Sequence, residues 1–99
     1  MKKIEWPETV EYIYPTMICK GEYRNKKGNR CCASGWLWRM FDDHVARAKA
    51  RAVLQEIIGQ ASVIAWNDSP RNSNELIAHQ LNRMTDELGY VVYTDDKKG

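Results

Sequence analysis

The sequence predicts one compact domain, mainly α or α+β. Three to four helices are expected, with at most a small two- to three-stranded antiparallel sheet. Three observations carry that expectation. Ile77, Leu81, Met84 and Leu88 recur at i, i+4, i+7 and i+11, which puts them on one helix face. Asp42-Asp43 and Gly59 bracket a second helical pattern with an N-cap signal and a C-terminal stop. The third observation is size: 99 residues, 43% hydrophobic and 28% charged, suit a single small globular unit. They exclude a TIM barrel, a protein kinase or a two-domain dehydrogenase. Four Trp and five Tyr are an efficient way to fill so modest a core. The domain is expected over residues 1–94, with a disordered tail at 95–99.

At the N-terminus, Pro7 suits a first helical turn, and Glu8 and Glu11 suit its positive end. Val10, Ile13, Tyr14, Met17 and Ile18 recur at helical spacing. Pro15 lacks an N–H, so a short helix ending or kinking near Tyr14 is predicted, with a strand as the alternative. Residues 20–30 read as a turn-rich loop whose hairpin tip is Asn25-Lys26-Lys27-Gly28-Asn29, with short strands on either side.

Cys32, Trp36, Leu37, Met40 and Phe41 then predict an apolar, buried helix over residues 31–41. Gly35 inside it suggests close approach of another backbone. The next helix is predicted from His44 to Ile58. Ala46, Ala50, Val53, Leu54 and Ile57 form its apolar side, and Ala48 and Ala52 a thin face suited to close packing. Ala61 to Ala65 reads as a buried connection too short for a helix, and Trp66 to Pro70 as a loop. The last helix is expected to start near Asn72, which with Glu75 resembles a capping box, and to stop at Gly89. Tyr90 to Thr94 is β-prone and is expected as an edge strand or a packed tail.

No run approaches the roughly 18 apolar residues of a membrane span. Lys2 and Lys3 are not followed by a signal-peptide apolar region, so a cytoplasmic protein without membrane association is expected. Cys19, Cys31 and Cys32 are an odd number with two adjacent, which predicts free, buried thiols rather than a disulfide framework.

Two segments together carry a resemblance. Gly28-x-x-Cys31-Cys32-Ala33-Ser34-Gly35-Trp36-Leu37 and Trp66-Asn67-Asp68-x-Pro70, the latter followed by a helix with Glu75, Leu76 and Leu81, resemble a small bacterial and phage family of unknown function. That family has a Cys-x-x-Gly-x-Leu helix opening, a Trp/Phe-Asn-Asp loop and a final amphipathic helix. The resemblance spans residues 7–89 through about a dozen positions. It implies a helical fold with a helix N-terminus near Cys32. Trp36, where the family has a small residue, and the extra Cys31 are departures. The family has no established chemistry, so the resemblance transfers no catalytic residue.

Trp66, Asn67 and Asp68 are expected to form a structural loop. The ring would anchor the core, and the Asn and Asp side chains would bond local backbone. The functional alternative places Asn67 and Asp68 in a small polar pocket beside the Cys32 helix. A metal site would have to use Cys19, Cys31, Cys32, His44 and His79. Adjacent helical side chains point about 100° apart, so Cys31 and Cys32 make a poor chelating pair, and no metal or other cofactor is expected. A Cys–His nucleophile with Asp68 as orienter has no accompanying local signature, and no catalytic residue is assigned. P-loop, dinucleotide, zincin and nucleophile-elbow motifs are all missing.

Charge placement is more informative than the net +2. Residues 20–51 carry nine basic and three acidic side chains, a balance of +6, which leaves −4 for the rest. Such a dipolar chain is steered toward polyanions. Tyr23, Trp36 and Trp38 are interleaved with the basic residues, as at stacking surfaces. Tyr23, Arg24, Lys26, Lys27, Arg30, Trp38, Arg39, Arg47 and Arg51 are therefore the expected partner-binding residues, since Trp, Tyr and Arg dominate interface hot spots. The expected function is a non-enzymatic binding module, phage- or prophage-encoded, that docks a host protein or protein–nucleic acid complex. Inhibition of a defence complex, in the manner of an anti-CRISPR protein, is its concrete form. A nucleic-acid-binding accessory protein and a small cysteine-dependent enzyme are the alternatives.

Overall fold

A computed structural model describes residues 3–22 and 25–90. The chain runs through a 3₁₀ turn, Pro15–Met17, and then four helices: α1 (Ala33–Met40), α2 (His44–Ile58), α3 (Val63–Asp68) and α4 (Asn74–Glu87). The fold is mainly α. No strand forms among the described residues, and the trace of sheet is an isolated parallel bridge between Ile18 and Cys31. The residues expected as a C-terminal strand beyond Tyr90, and the tail at 95–99, lie outside the described residues, as do Tyr23 and Arg24.

Local signals account for α2. Asp43 caps it, its Oδ1 accepting from Val45 N at 2.8 Å and from Ala46 N at 3.4 Å. Gly59 closes it with φ 72°, a conformation that glycine adopts without strain. Ala46, Ala50 and Leu54 are buried on its inner side, whereas Ala48 and Ala52 are exposed. The thin alanine face expected against a neighbour is therefore uncovered by the described residues. The stripe of α4 behaves as its spacing predicts: Ile77, Leu81 and Met84 are buried, and the helix packs on α2 and on the 3₁₀ turn. One core unites these elements, with Trp36, Leu37, Phe41, Leu54 and Trp66 among its members.

Four expectations are corrected. The N-terminal segment is extended rather than helical, apart from the 3₁₀ turn. Pro15 biases the preceding residue away from the α region, and Tyr14 sits at φ −97°, ψ 153°. Successive side chains of this segment alternate in direction. Tyr12 and Tyr14 meet edge to face at 4.8 Å on one side, while Ile13 is buried on the other. The segment is tied to α4 by Asn82: Oδ1 accepts from Ile13 N and Nδ2 donates to Ile13 O, both at 2.8 Å.

The second correction is α3. Ser62 Oγ accepts from Ala65 N at 3.1 Å, and Val63 and Trp66, one helical step of three apart, point inward. Ala61, Ile64 and Ala65 are exposed, so the stretch is a short amphipathic helix rather than a buried connection. Trp66, Asn67 and Asp68 form its last turn, not a loop.

Third, α4 is capped by Ser73, whose Oγ accepts from Leu76 N at 3.1 Å. Asn72 lies one residue before the cap, and its Nδ2 donates to Trp66 O at 2.8 Å. Fourth, no antiparallel strands flank the loop between Ile18 and Cys31, although its expected tip does form a turn, with Gly28 N donating to Asn25 O and Asn25 N to Arg30 O at 3.0 Å each. Cys31 N donates to Met17 O at 3.0 Å and Cys19 N to Cys31 O at 3.1 Å, the pattern of a parallel pair. Among the described residues no helix is long and apolar enough to cross a membrane.

Candidate partner-binding surface

Where the next rung of that parallel pair would fall, Ala33 N should donate to Cys19 O. The Asn67 side chain occupies the gap instead. Its Oδ1 accepts from Ala33 N at 2.9 Å and its Nδ2 donates to Cys19 O at 3.0 Å. The amide thus completes two backbone groups that would otherwise be buried without partners. Asn67 is fully buried. Its chemistry is spent on the fold, but on backbone 34 and 48 residues away rather than on the local backbone expected for it.

Asp68, exposed at the end of α3, extends this junction. Its Oδ1 accepts from Gly21 N at 2.9 Å and from Asn67 Nδ2 at 3.1 Å. The Gly21 amide first, then Asn67 and the Lys20 charge, hold the Asp68 carboxyl below the usual carboxylate range. Lys20 was counted only as a charge in the sequence. Its ammonium in fact caps the C-terminal end of α3, donating to Asn67 O, to Ser69 O at 3.1 Å and to Asn72 O at 2.7 Å. A cation there meets the negative end of the helix dipole.

All three cysteines are free and buried. Cys32 caps α1, its Sγ accepting from Gly35 N at 3.4 Å. Burial pushes the Cys32 thiol up, against the lowering effect of the Gly35 and Ser34 amides. Cys19 is raised further, to about 11, by burial and then by Glu22. Both thiols are therefore protonated at neutral pH, opposite to what a nucleophilic cysteine needs. His44 and His79 are exposed on α2 and α4, and among the described residues neither hydrogen-bonds a thiol. No group of three or more His, Cys, Asp or Glu forms a metal-binding cluster among the described residues.

The basic residues divide into two sets. Arg47, expected to face a partner, is buried at 8% exposure. Its Nη2 donates to Phe41 O at 2.8 Å and to Asp42 O at 3.3 Å, and its guanidinium lies 3.7 Å from the Trp38 ring centroid. It satisfies the carbonyls at the corner between α1 and α2. Arg51 is half-buried.

Lys26, Lys27, Arg30 and Arg39 are exposed. Arg39 lies over the Trp36 ring at 5.1 Å and its Nη1 donates to Gly28 O at 3.0 Å, which ties α1 to the loop. The loop also holds its own shape. Asn25 Oδ1 accepts from Asn29 N at 3.1 Å and from Arg30 N at 3.0 Å, and Gly28 takes φ 76°. Lys26, Lys27 and Arg30 therefore sit on a loop that Arg39 fastens to α1, and among the described residues none of the four is in an ion pair. Trp38, on the same helix as Arg39, is 55% exposed with Arg47 behind it. No protein-family model, curated protein or solved structure matches this chain.

Proposed function

We propose that this protein is a non-enzymatic binding module that docks an acidic surface of a host protein through Lys26, Lys27, Arg30, Arg39 and Trp38. The observation that carries the reading is the Arg39–Gly28 bond of 3.0 Å, because it fastens the basic loop to α1. Cations held on a supported loop lose less freedom on binding than cations on a loose one. Trp38 adds an exposed aromatic anchor of the type found at interface hot spots. The protonated thiols of Cys19 and Cys32 weigh against the cysteine-dependent enzyme. A phage or prophage origin, with the blocking of a defence complex as the form of docking, is part of the same proposal.

Affinity capture from host lysate tests this, with and without nuclease, using wild type beside the triple variant Lys26→Glu, Lys27→Glu, Arg30→Glu. The expected result is a protein retained after nuclease treatment and lost with the triple variant, whose melting temperature stays within a degree or so of wild type. Capture that is unaffected by the triple variant overturns the reading. Loss on nuclease treatment, with a steep salt dependence, replaces it with nucleic-acid binding.

A further inference from the structure

The parallel bridge between Ile18 and Cys31 has a consequence for the thiols. Residues facing each other across a bridge point to the same side, and the next residue on each chain points to the opposite side. Ile18 and Cys31 both belong to the main hydrophobic cluster, whereas Cys19 and Cys32, each one residue further and also buried, lie outside that cluster. The alternation puts Cys19 and Cys32 together on the other side of the bridge from Ile18 and Cys31. The junction holds them there from two directions. Cys19 N donates to Cys31 O at 3.1 Å, and the Asn67 amide links Cys19 O to Ala33 N. Electrostatics agrees, since Cys19 senses Cys32 more strongly than Cys31. The backbone bond from Cys19 N to Cys31 O keeps Cys19 within one residue of Cys32 across the pair, before the chains part around the Asn67 amide.

We propose that Cys19 and Cys32 are a disulfide-forming pair that closes the basic loop covalently, with Cys31 excluded. The oxidant is a small disulfide of the glutathione type. The thiolate of one cysteine attacks its S–S bond and expels a glutathione thiolate. The second cysteine thiolate then attacks the protein sulfur of the mixed disulfide and expels the other. Both protein sulfurs are oxidised, the glutathione disulfide is reduced to two thiols, and these carry the two protons lost by the cysteines. The Cys19 hydrogen bond to Glu22 O, 3.4 Å, is given up. Residues 20–31, which include Lys26, Lys27 and Arg30, become a closed ring. The cross-link does not depend on what the loop binds.

The test is incubation of the folded protein with oxidised glutathione at about pH 10.5, where part of the raised Cys19 thiol is ionised. Intact mass and peptide mapping follow, beside the same reaction on guanidinium-unfolded chain. The folded protein is expected to lose two hydrogens and to yield a single cross-linked pair, Cys19 with Cys32. Cys31→Ala is expected to give the same pair, and Cys19→Ser and Cys32→Ser none. A bond that includes Cys31, a product that stops at a glutathione adduct, or folded protein left unreacted when the unfolded chain oxidises would each overturn the proposal.

Discussion

The side-chain amide of Asn82 pairs with both backbone groups of Ile13, donating to the carbonyl and accepting from the N–H at 2.8 Å each. An asparagine on a helix here plays the part of a neighbouring strand. Without it, an extended segment would lie on α4 with its polar groups part-buried and unpaired. Asn82→Ala is expected to cost about 1–3 kcal/mol. Hydrogen exchange at the Ile13 amide should accelerate in that variant more than exchange in α2 does. Equal acceleration throughout would mean that Asn82 supports the whole fold rather than this one attachment.

Asn67 should be the more sensitive position. Asn67→Ala leaves Ala33 N and Cys19 O unpaired in the interior, and about 2–5 kcal/mol of destabilisation is expected from two such groups. Asn67→Asp is also expected to fail, because a carboxylate accepts from Ala33 N but repels the Cys19 carbonyl. Urea unfolding of the two variants checks this, and an Asp variant as stable as wild type would contradict the assigned donor.

Arg47 and Lys27 carry the same charge and should behave differently. Arg47→Leu removes the donor to Phe41 O and the cation over Trp38, with an expected loss of about 1–3 kcal/mol and a shifted Trp fluorescence spectrum. Lys27→Ala is expected to stay within about 0.5 kcal/mol of wild type. Thermal unfolding of both variants distinguishes a structural arginine from a free surface lysine.

Stability should fall at both ends of the pH scale. The folded Asp68 and Asp43 carboxyls titrate below their ordinary 3.8, held down chiefly by the Gly21 and Glu5 amides respectively. Their contribution is present above that value and is lost as pH drops through the folded values. Cys19 works in the opposite sense. Its folded value of about 11 exceeds its ordinary 9.0, so its contribution is complete below 9.0 and disappears between 9.0 and about 11. Chemical denaturation across this alkaline window should show a steeper loss in wild type than in Cys19→Ala.

What could be read from the sequence divides along physical lines. The start and stop of α2 were legible because Asp43 and Gly59 act on backbone within a few residues of themselves. The buried stripe of α4 was legible because periodicity along one helix is local. The extended N-terminal segment was not, because its partner Asn82 is 69 residues distant. Short α3 escaped because Val63 and Trp66 alone mark its inner face, while Ile64 and Ala65 are apolar but exposed. Arg47, expected at a partner surface, and Lys20, which enters the sequence reading only as one of nine basic residues, are structural cations that escaped for a common reason. Composition counts a cation, whereas only the assembled fold supplies the carbonyls of Phe41, Ser69 and Asn72 that receive it.

The ties of the first third of the chain have a consequence for its synthesis. Glu5 is held by Asp43, Pro7 by Tyr90, Ile13 by Asn82 and Cys19 by Asn67. A chain emerging from the ribosome exposes Ile13 and Ile18 well before those partners exist, and domains assemble as units once their parts are out. Helical proteins usually fold fast because their contacts are close in sequence. Here native contacts join Ile13 and Pro7 to residues made 69 and 83 positions later. A truncation ending before Asn82 would remove the partners of Pro7 and Ile13 and keep those of Glu5 and Cys19.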